Sequence, residues 1–258
     1  MLDNILSKTT NFESVSLDDL DEVALQNRLD AKYVISVEQL HVLLNCINDD
    51  YFILDIDGLR VFSYNNNYFD TSDFLFFKDH HNGYAHRIKV RSRKYMESNL
   101  SFFEIKKKEK VDRTNKLRTK TPDILTVISK SEEVQIQSLS RKKISDLALV
   151  LKNNFNRITL VNSSFTERVT IDTNLSYQNT KSKFIFSKAV VIEIKREKGS
   201  RASILEQYLK NNRIRSQSFS KYVFGVMHLY PGIKKNNFLP ILRQLKSKNI
   251  DEYLRVSF

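Results

Sequence analysis

The chain has 258 residues, 42 Lys and Arg against 30 Asp and Glu, and a formal net charge of +12. That balance, with a pI near 9.6, points to an acidic partner: nucleic acid, an anionic membrane or a phosphate compound. A hydrophobic content of 41% is that of a globular chain, and no apolar run approaches the ~20 residues of a membrane span.

One cysteine, Cys46, excludes an internal disulfide and fits a reducing compartment. Its setting, LHVLLNCI, reads as a helix interior, so it is expected in the core. The start, MLDNILSKTTNFESVSLDDL, lacks the basic head and apolar run of a leader peptide, and a cytoplasmic location is expected. Five Gly and three Pro argue against a long flexible linker. The expected organisation is an N-terminal segment over 1–26 and one domain over 27–258, with a helical insertion at about 121–152.

Residues 1–25 read as loose, with a short acidic helix around Leu17 to Leu25. Asn27 to Tyr33 reads as a strand with Arg28, Asp30 and Lys32 on one face. Ser36 and Gln39 form a capping box for a helix whose stripe is Val37, Leu40, Leu43, Leu44 and Ile47. Tyr51 to Ile56 and Leu59 to Tyr64 predict a hairpin around Asp57-Gly58. Asn67 to Asp70 is a short strand, and Ser72 to His81 a Phe-rich helix or turn.

From His86 to Lys120 the pattern sharpens. Arg87, Lys89, Arg91 and Arg93 occupy every second position, with Ile88 and Val90 between them. Glu104, Lys106 and Lys108 alternate with Phe103 and Ile105, and Lys116 and Arg118 flank Leu117. In a strand, alternate side chains share a face, so three successive strands carry one nearly all-cationic face. Like charges on one face repel, which implies a polyanionic ligand.

Thr121 to Lys152 predicts two surface helices. Phe155 to Val161, Glu167 to Leu175 and Ala189 to Arg196 return to strand, Ser203 to Asn211 is helical, and Asn236 onward reads as amphipathic helix. The charged strand faces together carry Arg157, Arg168, Lys195 and Lys221 besides the cations above. In all, fourteen cations meet only four acids, Asp30, Glu104, Asp172 and Glu193. A sheet closed with that face inward makes a wet, cation-lined barrel that admits a thin polyanion and excludes a duplex.

The ordered elements resemble a family: Arg28-x-Asp30-x-Lys32-Tyr33, Tyr68-Phe69-Asp70-Thr71, Lys89-Val90-Arg91-x-Arg93-x-Tyr95, Phe103-Glu104-Ile105-Lys106, Lys116-x-Arg118, Phe155-x-Arg157-x-Thr159, Arg168-Val169-Thr170-Ile171-Asp172, Glu193-Ile194-Lys195 and Phe219-Ser220-Lys221-Tyr222. Spread over about 27–240, they resemble the VTC domain, the polyphosphate polymerase branch of the triphosphate tunnel metalloenzymes. The resemblance implies an α+β fold, an eight-stranded antiparallel β tunnel with a cation-lined interior, covered outside by helices. It implies transfer of the γ-phosphoryl group of ATP to a polyphosphate chain, with Mn²⁺ or Mg²⁺. By it, Lys32, Arg91, Arg93, Lys106, Arg157 and Lys221 are catalytic. Lys89, Lys108, Lys116, Arg118, Arg168, Lys195 and Ser220 join them in binding substrate, and Glu193 ligates the metal. The implied partners are ATP or another triphosphate, polyphosphate and pyrophosphate.

Two departures bear on this. Many tunnel enzymes open with two glutamates and a lysine at alternate positions; here Arg28 and Asp30 take the glutamate places, which favours the polymerase branch and weakens metal binding by the first strand. Phe155 stands where the family more often has Tyr.

Blander readings stand beside these. Glu193 could pair with a neighbouring Lys, and Asp172 could end a strand. His80 and His81 diverge on a helix and read as solvent or loop contacts. Phe74, Phe76 and Phe77 read as core or lid. A triphosphatase, a polyphosphatase and a non-catalytic polyphosphate sensor would use the same tunnel. A single-strand nucleic-acid binder interleaves aromatics with cations; here the aromatics are expected mostly on the opposite strand face.

Overall fold

The computed structural model describes residues 2–22, 28–110, 113–247, 250 and 254–258. The N-terminal stretch forms α1 (Leu2–Thr9), the two-residue strand β1 (Ser14–Val15) and α2 (Leu17–Glu22). It is not loose: Ile5 and Phe12 are buried in the main core. The Arg60 guanidinium also donates to the carbonyls of Thr9 (2.6 Å) and Phe12 (3.1 Å).

β2 (Arg28–Ser36) runs straight into α3 (Val37–Ile47). The capping box of Ser36 and Gln39 forms, and Val37, Leu40, Leu43, Leu44 and Ile47 are all buried, as their spacing predicts. Cys46 is exposed instead of core, because at 3.6 residues per turn it falls beside that stripe rather than on it.

β3 (Tyr51–Leu54) and β4 (Phe62–Thr71) flank the Asp57-Gly58 turn. Both turn residues take positive φ, 54° and 81°, as a tight turn requires. The ladder there is a single bridge, Ile56 to Leu59. β3 and β4 run in one direction along the same later strand, so the turn is a pinched-out loop and not the expected hairpin. Asn67 to Asp70 belongs to β4 itself.

Next come α4 (Leu75–His81), β5 (Ile88–Tyr95), β6 (Leu100–Lys110) and β7 (Arg113–Thr121). A single helix, α5 (Lys130–Leu139), follows, and the second helix expected before Lys152 is the start of β8 (Leu147–Asn162). Leu147 and Leu149 pack into one cluster while Val150 and Leu151 pack into another. The ladder to β4 slips at Val150, and this bulge breaks the alternation, so the apolar run shows no clean period to read.

The chain continues with β9 (Glu167–Gln178), β10 (Ser182–Phe186), β11 (Ala189–Glu197), α6 (Ile204–Asn211), α7 (Lys221–Leu229), a 3₁₀ turn (Asn236–Phe238), α8 (Leu239–Ser247) and β12 (Leu254–Ser257).

Eight strands form one antiparallel wall in the order β2-β11-β9-β8-β4-β5-β6-β7. β10 and β12 extend it from one end of β9, and β3 and β1 from one end of β8. The wall curls until residues of all eight strands line one cavity. Its edges, β2 and β7, share no ladder among the described residues, so the tunnel is curled rather than laced shut.

Alternation sorts the two faces. Outward, Ile35, Ile171, Ile192 and Leu160 are fully buried under α3 and α6, each contributing roughly 1.5–3 kcal/mol. Ile88, Val90, Phe103 and Ile105 meet Phe76 of α4 and Ile136 of α5. α7 departs from the expected outer cover. It lies on the inner face, in one cluster with Val34, Tyr68, Leu151 and Val191. Gly225 allows this approach: a Cβ there would lie 2.6 Å from Tyr177 and 2.7 Å from Leu151.

Candidate active site

The cavity encloses about 510 Å³ and is lined by ten cationic side chains against three carboxylates. The register that sets this is local on one side and long-range on the other. Arg91 faces Glu104, which faces Arg118; Lys89 faces Lys106, which faces Lys116. Across the wall, Lys32 of β2 faces Glu193 of β11, and Arg157 of β8 faces Asp172 of β9.

Each carboxylate bridges two cations. Glu193 accepts from Lys32 and lies 3.7 Å from Lys195. Glu104 lies 2.5 Å from Arg91 and 3.6 Å from Arg118. Asp172 accepts from Nε and Nη2 of Arg157 (2.6 and 2.8 Å) and also from Lys221. Burial alone would raise these acids, but the flanking cations outweigh it. Glu104 and Asp172 are held near a pKa of about 2, and Glu193 well below the usual carboxylate range. Asp172 is therefore a mid-strand clamp, not a turn former.

Lys89 and Lys106, outside these triplets, are themselves shifted toward the neutral form. Burial, then Arg87, Lys32 and Arg91, push Lys89 down to about 7; its Nζ donates to Ser220 at 2.9 Å. Arg91, burial and Lys116 push Lys106 well down. Among the described residues Lys106 makes no ion pair.

The α7 start is pinned from behind. Ser220 caps the helix and accepts from the Val223 amide. The Tyr222 hydroxyl donates to the fully buried Asp70. That carboxylate also accepts from the amides of Thr71 (2.8 Å), Phe76 (2.8 Å) and Phe77 (3.0 Å). One buried acid thus fixes both α4 and the turn that delivers Ser220 and Lys221.

Of the residues expected at the site, Lys32, Lys89, Arg91, Arg93, Lys106, Lys116, Arg118, Arg157, Glu193, Lys195, Ser220 and Lys221 line the cavity. Arg168 and Lys108 do not line it. Arg168 donates to the Leu20 carbonyl of α2, tying the N-terminal segment to the wall. Lys108 lies farther along β6, where its amide bonds the Arg87 carbonyl. The Arg28 side chain lies outside the described residues, and Asp30 is exposed opposite Lys195. His80 and His81 are not solvent contacts: both rings pack on Phe238, and His81 is buried. Phe76 and Phe77 are core, as expected.

The aromatics overturn the expectation that they avoid the cation face. Tyr68, Tyr95, Phe219 and Tyr222 line the cavity. Arg93 is 7% exposed, bonded to Asn66 at 2.8 Å, with Tyr64, Tyr95 and Phe155 within 6 Å. The signal was present: Tyr95 and Phe102 stand two residues from Arg93 and Glu104, hence on their face.

For a metal, no group of three or more His, Cys, Asp or Glu converges among the described residues. A divalent ion at Glu193 would find one protein carboxylate, with phosphate oxygens completing its shell, a donor set that suits Mg²⁺ or Mn²⁺ carried in on phosphate.

The VTC domain model matches residues 27–230. The chain belongs to the VTC domain family. Membership and the cation lining together assign the cavity to triphosphate or polyphosphate chemistry, and the family implies a divalent metal. Remote structural likenesses include a candidate adenylate cyclase from Vibrio parahaemolyticus (11% identity, 77% of this chain and 98% of that one, TM-score 0.46). Others are a candidate adenylyl cyclase from Hippeastrum described as having a dominant triphosphatase activity (14%, 78% and 95%, 0.47) and a Pyrococcus horikoshii protein (13%, 76% and 97%, 0.43). No curated protein matches the chain. Among the described residues, no helix is long and apolar enough to cross a membrane.

Proposed function

We propose that this VTC domain is a polyphosphate polymerase. A terminal phosphate oxygen of a polyphosphate chain attacks the γ-phosphorus of ATP. A new P–O–P bond forms, the bond to the β-phosphate oxygen breaks, and ADP leaves. The observation that supports transfer is the state of the carboxylates: all three cavity acids are clamped between cations and strongly acidic. None is available to take a proton from water. A phosphate terminus is already an anionic nucleophile and needs no base, only positioning and charge neutralisation.

In this reading Arg91, Arg93 and Arg157 offer planar forks to phosphate oxygens, and Lys32, Lys106 and Lys221 mobile point charges. Lys89, Lys116, Lys195 and Ser220 extend the lining, and Lys108, beyond the cavity, meets only a longer chain. A bound Mn²⁺ or Mg²⁺ supplies further neutralisation of phosphate charge, and Glu193 is the residue that would hold it.

Pure protein incubated with ATP and Mn²⁺ should yield products that lengthen on a polyacrylamide gel. Orthophosphate release without lengthening would replace the polymerase with a hydrolase, and tight binding without turnover would make the tunnel a sensor.

A further inference from the structure

The cation lining accounts for a triphosphate and leaves the nucleoside without a place. At the far rim of β5, β6 and β7 the inner face changes character. Tyr95 stands opposite Leu100, and Phe102 opposite both Arg93 and Lys120. Leu100 and Met96 there are 39% and 42% exposed. Of the cations beside this apolar floor, Arg118 lies flat on it: its guanidinium sits 3.6 Å from the Phe102 ring centroid. Its Nη2 donates to the Tyr95 hydroxyl at 3.1 Å, and its Nε lies 3.6 Å from Glu104. Tyr95 and Phe102 meet edge to face at 5.9 Å and 89°.

Two features set Arg118 apart from the phosphate-facing arginines. Its guanidinium lies 3.6 Å from a ring centroid, against 5.1 Å or more for Arg93 and Arg157, and its edge is held by the Tyr95 hydroxyl. Its side chain is 47% exposed, against 14% for Arg91 and 15% for Arg157. A flat, pre-oriented guanidinium with one open side is a stacking surface for a planar heterocycle, whose π-face it meets as an aromatic ring would.

We propose that Arg118, laid on Phe102 and held by Tyr95, is the platform on which the nucleobase of the incoming triphosphate stacks. The phosphates then run inward past Glu104 to Arg91. The inference rests on the triphosphate reading of the tunnel, and it assigns Arg118 to the base rather than to phosphate.

Calorimetry on the full chain without metal, with ATP and with inorganic tripolyphosphate, tests it. Phe102→Leu removes the ring beneath the guanidinium and should weaken ATP about tenfold while leaving tripolyphosphate within about twofold. Tyr95→Phe keeps the ring, loses the hydroxyl that orients Arg118, and should weaken ATP by a smaller factor, again sparing tripolyphosphate. Parallel loss for both ligands would make Arg118 a phosphate ligand and overturn the proposal, as would unchanged ATP affinity in both variants. Should Phe102→Leu lose the parent's circular dichroism, Tyr95→Phe alone decides. A parent that binds neither compound would instead bring down the tunnel reading itself, a distinct failure.

Discussion

Two sets of cations share the cavity and live under opposite conditions. Arg157 with Lys221, Lys32 with Lys195, and Arg91 with Arg118 are each tied to a carboxylate whose pKa is driven down. Lys89 and Lys106 sit among cations without a paired carboxylate, and their own pKa values fall; burial lowers Lys221 as well, despite Asp172. The first set is balanced before any ligand arrives, so the protein itself holds those side chains in place. The second is balanced only by what binds. The tied set therefore meets phosphate with its side chains already in place, and Lys89 and Lys106 have the most to gain from a bound polyanion.

The strongest way to break this contrast is to remove an acid. The Asp172 side chain is 2% exposed, and Asp172→Ala should strand Arg157 and Lys221 at a cost of about 3–5 kcal/mol of unfolding stability. Urea melts would read this, with part of the loss recovered on adding tripolyphosphate; an unchanged midpoint would mean the tied set is not structural.

Arg91→Glu comes next. It sets a second acid opposite Glu104 and should weaken tripolyphosphate binding more than about a hundredfold, close to 2.7 kcal/mol, while circular dichroism holds. Parent-like calorimetry would end the tunnel model. Arg93→Glu is not an equivalent test, since Arg93 is buried among aromatic rings and the change would act on folding.

Glu193→Gln should lower metal-dependent turnover at least about tenfold, near 1.4 kcal/mol of barrier. Metal-free affinity for ATP should hold or rise, because Lys32 and Lys195 lose their competing partner. Unchanged rates at limiting Mn²⁺ would move the metal elsewhere.

The smallest effect sharpens the contrast through pH. Lys89 titrates near 7 in the ligand-free tunnel, against about 10.4 for an unperturbed lysine. Between those values the unfolded chain holds the extra proton, so ligand-free stability should rise with pH there. A bound polyanion restores the charge, so binding at pH 8 should take up protons and weaken a few-fold as pH climbs toward 10. Calorimetry in two buffers of different ionisation heat measures the uptake, and Lys89→Met should reduce it. An identical uptake in that variant would assign the proton to Lys106, which Arg91 and burial push well down, or to Lys221, whose pKa burial lowers to about 8.

What the sequence discloses divides along the same line. The lysine ladder of β5, β6 and β7 is written in adjacent strands, where period two places Lys89, Lys106 and Lys116 together without knowledge of the fold. The capping box at Ser36 is equally local. The clamps are not: Lys32 meets Glu193 across 161 residues, and Asp172 meets Lys221 only because α7 folds inward. Arg168 obeys the alternation as well as its neighbours do, yet Leu20 claims it, a contact no periodicity encodes. Its alternation broken by a bulge at Val150, the start of β8 has no period that separates it from a helix. Tyr95 and Phe102 were legible but outweighed by the louder charge pattern around them.

The missing ladder between β2 and β7 has a consequence of its own. A cylinder laced all round can be entered only from its ends, so a long polymer must be threaded. Here Lys32 and Lys116 border the same cavity from opposite banks of the seam, and no backbone bond joins those banks among the described residues. A polyphosphate lying between them would supply the missing cross-link, completing the wall by occupying it. On the polymerase reading proposed above, the tunnel is then less a bore than a clasp, shut by its own cargo.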